Sequence, residues 1–181
     1  MTGVDRRRAF RDLLGSVPAG VSVITTDGPA GRAGMTASSV CSLSLEPLLL
    51  LVCLGNASRT LRAVRGNGRF AVNLLRDGQT GAAAVFATDR PAAEKFATAG
   101  HDLVDGSPVL PQVLGWLTCR VYSAVPMGDH TIVVGEVLDL SRSPGAPLIW
   151  HAGRYGVRRT ADHDGPPPTV STAPTHRWER P

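Results

Sequence analysis

The sequence predicts a mainly β protein with helical additions, built as an antiparallel barrel. Six or so apolar segments have the length of strands and carry turn residues at their ends. Helical segments stand between some of them, without the regular strand–helix alternation that predicts a parallel sheet. With 181 residues the chain can bury one sizeable core. Together these features favour a barrel with inserted helices.

The predicted helices have apolar residues at helical spacing. In residues 4–15, Phe10, Leu13 and Leu14 share one side and arginines occupy the rest. The later predicted helices are 57–66, closed by Gly66, then 80–88, and 91–99, opened by Pro91.

The predicted strands are short apolar or alternating segments. Residues 48–54 are apolar on both faces, so we expect a central strand there. Small and hydroxyl-bearing residues fill 34–47, which we expect to form one long strand ending at Pro47. The other predicted strands are 21–27, 70–75, 116–125, 130–140 and 147–151.

Composition divides the chain into two unequal parts. Residues 1–159 contain every predicted element and are expected to form the folded domain. From Thr160 onwards proline, threonine and charged residues dominate, with three consecutive prolines at 166–168. We therefore expect 160–181 to be a tail without a core of its own.

Charge and cysteine usage exclude several classes of function. The net charge is +4, but the basic residues form no stripe with interleaved aromatics, so nucleic-acid binding is not predicted. Cys41, Cys53 and Cys119 have no metal-ligand spacing, which predicts reduced thiols and no metal site. The N-terminus lacks an apolar signal segment, and the run 48–54 is too short to span a bilayer. We expect a cytoplasmic protein.

Two polar stretches are candidate ligand-binding segments. Residues 35–42 place small side chains and hydroxyls where strands usually carry larger residues, which would let a flat ligand approach the backbone. A polar edge strand facing water is the alternative. Residues 55–60 put Asn56, Ser58, Arg59 and Thr60 at a helix start, which suits a phosphate. An ordinary helix cap is the alternative there.

A third stretch, GDHTIVVGEV at 128–137, places Asp129 and His130 directly before a buried strand. A hairpin turn capped by His130 would explain them without any chemistry. No dinucleotide-binding glycine motif, Walker motif or GxSxG nucleophile motif occurs in the chain.

The order of these segments resembles the flavin reductase-like family, whose members bind flavin on a split barrel. Each segment is weakly specific alone, but the ordered set is specific and runs from about Phe10 to Arg158. The matching segments are GMTASSVCSLSLEP, LLLLVCLGNASRT, RFAVNLL, AAAVFA with EKF, GWLTCRV, GDHTIVVGEV and PLIWHAGRY.

The resemblance implies a homodimer of six-stranded antiparallel split β-barrels that binds FMN or FAD at the subunit interface. It implies that the isoalloxazine faces one group of residues: Thr36, Ala37, Ser38, Ser39, Cys53 and Leu54. Asn56, Ser58 and Thr60 would hold the ribityl phosphate, and Phe86 would be a neighbouring contact. His130 would lie where the nicotinamide stacks, and Tyr155 would help to enclose it.

The implied activity is an NAD(P)H:flavin oxidoreductase that supplies reduced flavin, by diffusion, to a partner monooxygenase. The imidazole of His130 could align the nicotinamide, and Asp129 could orient that imidazole or only shape the turn. A non-catalytic flavin- or haem-binding carrier or sensor is the alternative. The choices between FMN and FAD, and between NADH and NADPH, stay open at this point.

Overall fold

The computed structural model describes residues 3–157, so the predicted tail 160–181 lies outside the described residues. The helices are α1 (Gly3–Gly15), α2 (Arg59–Asn67), α3 (Thr80–Phe86) and α4 (Ala92–Ala99). The strands are β1 (Ala19–Gly20), β2 (Ser22–Thr26), β3 (Ala33–Ala37), β4 (Cys41–Leu45), β5 (Leu48–Gly55), β6 (Arg69–Leu74), β7 (Asp102–Val104), β8 (Ser107–Val109), β9 (Gly115–Met127), β10 (His130–Arg142), β11 (Leu148–His151) and β12 (Arg154–Val157).

The main sheet has seven strands, all paired antiparallel, in the order β3-β2-β6-β9-β10-β5-β4. Two small sheets, β1-β11-β12 and β7-β8, accompany it. The predicted class, mainly β with helical additions, is confirmed.

The main sheet has to curl, because its two edge strands are neighbours in sequence. A flat sheet would put β3 and β4 about 29 Å apart, at about 4.8 Å per strand spacing. Residues 38–40 alone join Ala37 to Cys41, a span of at most about 14 Å. The hydroxyl of Ser39 also donates to the Cys53 carbonyl and accepts from the Cys53 N–H, both at 3.1 Å. The segment between β3 and β4 therefore lies against β5.

The expectation of one strand over 34–47 is wrong, because the extended backbone is interrupted at 38–40. The two pieces pair with opposite edges of the sheet, β3 with β2 and β4 with β5. Counted as a single bent strand, β3 and β4 reduce the seven strands to the six of the predicted barrel.

The expectation of a central strand over 48–54 is corrected in part: β5 pairs with a strand on each side, β10 and β4, but it is not buried on both faces. Strand β5 is second from the edge, and only alternate residues, Leu50, Val52 and Leu54, are buried. Strand β2 is buried on both faces: Ile24 joins the core inside the sheet, and Val23 joins the second core, which includes residues of α3 and α4.

The predicted helices are present, with one boundary corrected. Helix α2 continues past Gly66 to Asn67 and is capped by Gly68, whose φ of +68° is the left-handed conformation that favours glycine. Gly66 lies inside the helix, where a Cβ would be 2.5 Å from the Ala30 Cβ, so packing explains this glycine. No helix within residues 3–157 is long and apolar enough to cross a membrane.

Candidate functional site

A cavity of about 390 Å³ opens between β3, the start of α2 and the loop that joins α3 to α4. Thr36, Ser58, Thr60 and Phe86, four of the predicted site residues, line it together. The remaining lining residues include Arg32, Gly34, Arg59, Asp89, Arg90 and Lys95. We call this space the cationic cavity.

The wall formed by β3 is held close to α3. The Thr36 hydroxyl donates to the Ala83 carbonyl at 2.6 Å. Gly34 leaves room for the Phe86 ring, since a Cβ there would lie 2.7 Å from a ring carbon. The small residues of this segment therefore allow an aromatic ring to pack against the strand backbone at the cavity wall.

Lys95 brings a buried positive charge into the cationic cavity. The residue is 6% exposed, and its Nζ donates to the carbonyls of Gly34 at 3.3 Å and Phe86 at 3.5 Å. Burial lowers the pKa of this ammonium group, the positive charge of Arg59 lowers it further, and Asp89 acts in the opposite direction. Both hydrogen bonds are long and therefore weak. The ammonium group could donate a stronger, charge-assisted hydrogen bond to an anion beside Nζ.

The arginines add to this positive field in different ways. Arg32 is already paired with Asp27, with N–O distances of 2.6 and 2.7 Å. Arg59 donates to the backbone carbonyls of Asp89 and Arg90, and within residues 3–157 it has no salt bridge to a carboxylate. The cavity thus combines cations with the N-terminal end of α2, where backbone N–H groups favour anions.

Ser58 is the N-cap of α2, and its hydroxyl accepts from the Leu61 N–H at 3.1 Å. The cap expected for this segment is therefore present, and Ser58 and Thr60 still face the cavity. Capping and phosphate binding are compatible here, because a serine hydroxyl can donate while it accepts.

Asn56 connects the β5–α2 loop to the hairpin between β9 and β10. Its Nδ2 donates to Gly128 O at 3.0 Å, and its Oδ1 accepts from the Thr131 hydroxyl at 2.8 Å. Its backbone N–H donates to Asp129 O at 3.0 Å. The side chain is thus occupied in holding the hairpin, and it is not among the residues that line the cationic cavity.

Three other predicted residues sit at the barrel wall. The Leu54 side chain is fully buried in the core, so only its backbone could meet a ligand. Ala37 packs against the same core, and Cys53 is half-buried with its backbone bonded to Ser39. These residues shape the strands around the site.

Asp129 and His130 form a pair at the hairpin. Gly128 has a φ of +62° and Asp129 has no positive φ, which is the pattern of a type II′ turn. His130 Nδ1 lies 2.7 Å from Asp129 Oδ1. The hydrogen bond from His130 lowers the pKa of Asp129, with the charge of the imidazole as the second cause. An ionised carboxylate only accepts, so this hydrogen bond places a proton on Nδ1, and in the tautomer that carries only this proton Nε2 is an acceptor.

An open groove of about 1380 Å³, which we call the α1 groove, lies between α1 and this hairpin. Ser38, Asp129 and His130 line it on the sheet side, and Trp150 closes one end. Tyr155 packs edge-on against Trp150, with 4.9 Å between ring centroids. Thr36 in the cationic cavity and Ser38 in the α1 groove are two residues apart, about 7 Å in extended backbone.

The sequence patterns did not identify Lys95, Arg90 or the arginines of α1 as site residues. Lys95 is the only lysine of the chain, and this rarity was the one available signal. Its inward direction depends on how α4 packs against β3, which sequence spacing alone does not give.

Comparison with known proteins places these features in context. A family model described as "Flavin reductase like domain" matches residues 14–158. An FMN reductase (NADH) RutF from Cronobacter sakazakii is 38% identical over 154 residues, covering 84% of this chain and 93% of the relative.

Solved structures agree with the sequence relatives. The NADH:FAD oxidoreductase SgcE6 of Streptomyces globisporus, in complex with NAD and FAD fragments, superposes with a TM-score of 0.82 at 32% identity, covering 91% of this chain and 99% of that chain. Nitrilotriacetate monooxygenase component B from Mycobacterium thermoresistibile also gives a TM-score of 0.82 at 32% identity, covering 98% of this chain and 96% of that chain.

Proposed function

The chain belongs to the flavin reductase-like family, and we propose that it works as a homodimeric NAD(P)H:flavin oxidoreductase supplying a partner monooxygenase. The observation that carries this proposal is that one short segment joins two sites: Thr36 lines the cationic cavity, and Ser38 lines the α1 groove together with the Asp129–His130 pair. Bound FMN or FAD supplies the two-electron acceptor chemistry. The protein supplies binding and alignment.

The cationic cavity fits the phosphate end of a flavin. Lys95 and Arg59 provide positive charge, and Ser58 and Thr60 provide hydroxyls at the start of α2. The buried ammonium of Lys95 has only two long hydrogen bonds within the described part of the chain. A phosphate would accept a further hydrogen bond from the Lys95 ammonium group, and its negative charge would offset the free-energy cost of burying the positive charge.

The flavin ring would then lie along residues 36–39, between the cavity and the α1 groove. Small side chains in this segment leave the backbone accessible to a flat ring. Ser39 is committed to Cys53, so we assign it the task of keeping this segment in place. Thr36, Ala37 and Ser38 remain as the proposed contacts of the ring, with Phe86 at its border.

His130 would align the nicotinamide of the donor. Its Nε2 can accept a hydrogen bond from the carboxamide N–H, while Asp129 fixes the orientation and tautomer of the imidazole. Asn56 acts one step away, because it holds the backbone of the hairpin. Tyr155 supports the Trp150 ring at the end of the groove.

The apolar surface of the sheet supports a homodimer. Leu45 is 82% exposed and pairs with Leu48, which is 47% exposed. On the neighbouring strand β10, Glu136 pairs with Leu49. Leu138 and Leu140 follow on the same strand, and both side chains are more than half exposed. A neighbouring apolar group of this kind is typical of a surface that another chain covers.

Two further proposals concern location and the tail. All three cysteines are free thiols, which supports a reducing, cytoplasmic compartment. Residues 1–159 would fold without the tail 160–181, because every helix and strand of the described residues lies before Thr160.

The direct test measures NADH and NADPH oxidation by the purified protein, with and without added FMN, FAD or riboflavin. We expect oxidation that depends on added flavin. A protein that binds flavin or haem but oxidises neither nucleotide would be a carrier or sensor.

A further inference from the structure

The α1 groove carries three arginines that the flavin site does not use. Arg6, Arg7 and Arg11 line it, together with Phe10 and other apolar residues of the same helix. Arg7 and Arg11 are one helical turn apart, so their guanidinium groups share a face. The groove is therefore strongly basic on its α1 side and carries His130 on its sheet side.

These three arginines differ in their pairing from Arg8 of the same helix. Within residues 3–157, none of the three forms a salt bridge, whereas Arg8 on the same helix pairs with Asp12 at 3.9 Å. Asp129, the carboxylate of the groove, is bonded to His130. The hydrogen bond from His130 is the main reason why the pKa of Asp129 is lowered, and the charge of Arg7 adds a smaller effect in the same direction.

Helix α1 is held in place over the groove at its C-terminal end. The Ala152 N–H donates to Gly15 O at 2.8 Å, and His151 Nε2 lies 3.1 Å from Ser16 O. Both contacts come from the β11–β12 hairpin. That hairpin also carries Trp150, so the aromatic end of the groove and the basic helix are fixed to each other.

We propose that Arg6, Arg7 and Arg11 bind the phosphates of the nicotinamide donor. The inference rests on the proposed function, because it takes His130 as the residue that meets the nicotinamide. A dinucleotide whose nicotinamide lies at His130 must extend its phosphates along the groove. Arginine suits this task, because its planar fork donates to two phosphate oxygens at once. Phe10 and Trp150 offer aromatic faces for the second base.

The structure separates this role from binding of the flavin phosphate. The flavin has its own cations in the cationic cavity, which shares no lining residue with the α1 groove. Loss of the α1 arginines should therefore weaken the donor and leave the flavin bound.

The test compares two triple variants that remove the same charge. One variant is R6Q/R7Q/R11Q, and the control is R8Q/R62Q/R142Q, which changes three exposed arginines outside the groove. Glutamine matches arginine in helix propensity, and circular dichroism with thermal unfolding verifies the fold. Flavin-loaded protein is mixed with NADH in a stopped-flow instrument at low and high salt, and flavin affinity is titrated separately.

In the groove variant, the NADH concentration at half-maximal reduction should be about 5- to 30-fold higher than in the wild type. The limiting rate of reduction should stay within about twofold of the wild type, because these arginines would bind the donor equally in the ground state and the transition state. Added salt should weaken NADH binding to the wild type and to the control variant. NADH binding to the groove variant should depend much less on salt. An unchanged NADH dependence, or a loss of flavin affinity instead, would overturn the inference. A wild type that reduces no flavin would refute the proposed function itself.

Discussion

Lys95→Met tests the cationic cavity, because it removes the buried charge and keeps a long, flexible side chain. A hydrogen bond to a charged group contributes about 1.5–3 kcal/mol. At about 1.4 kcal/mol per tenfold change, FMN affinity should fall by about 10- to 150-fold. Because Lys95 is 6% exposed, solvent screening should reduce this effect little. Riboflavin has no phosphate, so its dissociation constant should change by less than about threefold.

The pH dependence provides a second arm of the same test. Burial lowers the pKa of Lys95 below its ordinary value of 10.5. FMN affinity should be complete below this lowered pKa and fall as the pH rises through it, since the neutral amine no longer attracts the phosphate. The same shift means that the unfolded chain binds the proton more readily, so the free energy of unfolding should rise with pH across this window. Lys95→Met should abolish both slopes.

Fluorescence titration with FMN and riboflavin, at several pH values, measures all of these quantities. Equal losses of FMN and riboflavin affinity would show that the substitution had disturbed the pocket as a whole. Unchanged FMN affinity would refute the assignment of Lys95 to the phosphate.

Further predictions concern the rest of the fold. Ser39→Ala removes both hydrogen bonds to Cys53. The free energy of unfolding should fall by about 1–3 kcal/mol, and Tm should fall by a few degrees. An unchanged Tm in thermal unfolding would contradict this role. Leu45→Glu with Leu48→Glu should convert a dimer to a chain of 19.0 kDa in light scattering, while Leu103→Glu, at a leucine on β7 whose exposure lies between those of Leu45 and Leu48, should not; a monomeric wild type would refute the dimer. Truncation after Arg159 should change Tm by less than about 4 °C, and a loss near 10 °C would mean that the tail packs on the domain.

The sequence predicted the fold better than it predicted strand positions. The pattern of apolar residues, together with turn residues, predicted the positions of β2, β6, β9 and β10. Each of these strands is an apolar segment bounded by glycine, proline or polar residues. The interruption within 34–47 was harder to predict, because the extended residues on both sides of 38–40 have the same composition. Only the pairing of β3 with β2 and of β4 with β5 reveals the break. Apolar residues on both faces of β5 predicted a central strand, although one face is only half-buried in the single chain.

The site was predicted in part for similar reasons. Thr36, Ser58, Thr60 and Phe86 line one cavity, and this outcome depends on elements far apart in sequence. Asn56 was assigned to the phosphate, but its hydrogen bonds go to the β9–β10 hairpin. That preference follows from the register between β5 and β10, which a single sequence does not show. The carboxylate of Asp129 is bonded to the imidazole of His130, and Asp129 also stands in the β9–β10 turn, so the geometry is compatible with both roles left open for it.

The most direct test of the account is anaerobic reduction of the flavin-loaded protein by NADH, measured for wild type and His130→Ala. The account predicts that one equivalent of NADH reduces one equivalent of flavin in the wild type. In His130→Ala, we expect flavin affinity within about threefold of the wild type and reduction slowed by about 5- to 50-fold, because loss of a hydrogen bond and donor misalignment act together. Equal reduction rates in a folded His130→Ala protein would contradict the role of His130, and a wild type whose flavin stays oxidised would contradict the reductase activity.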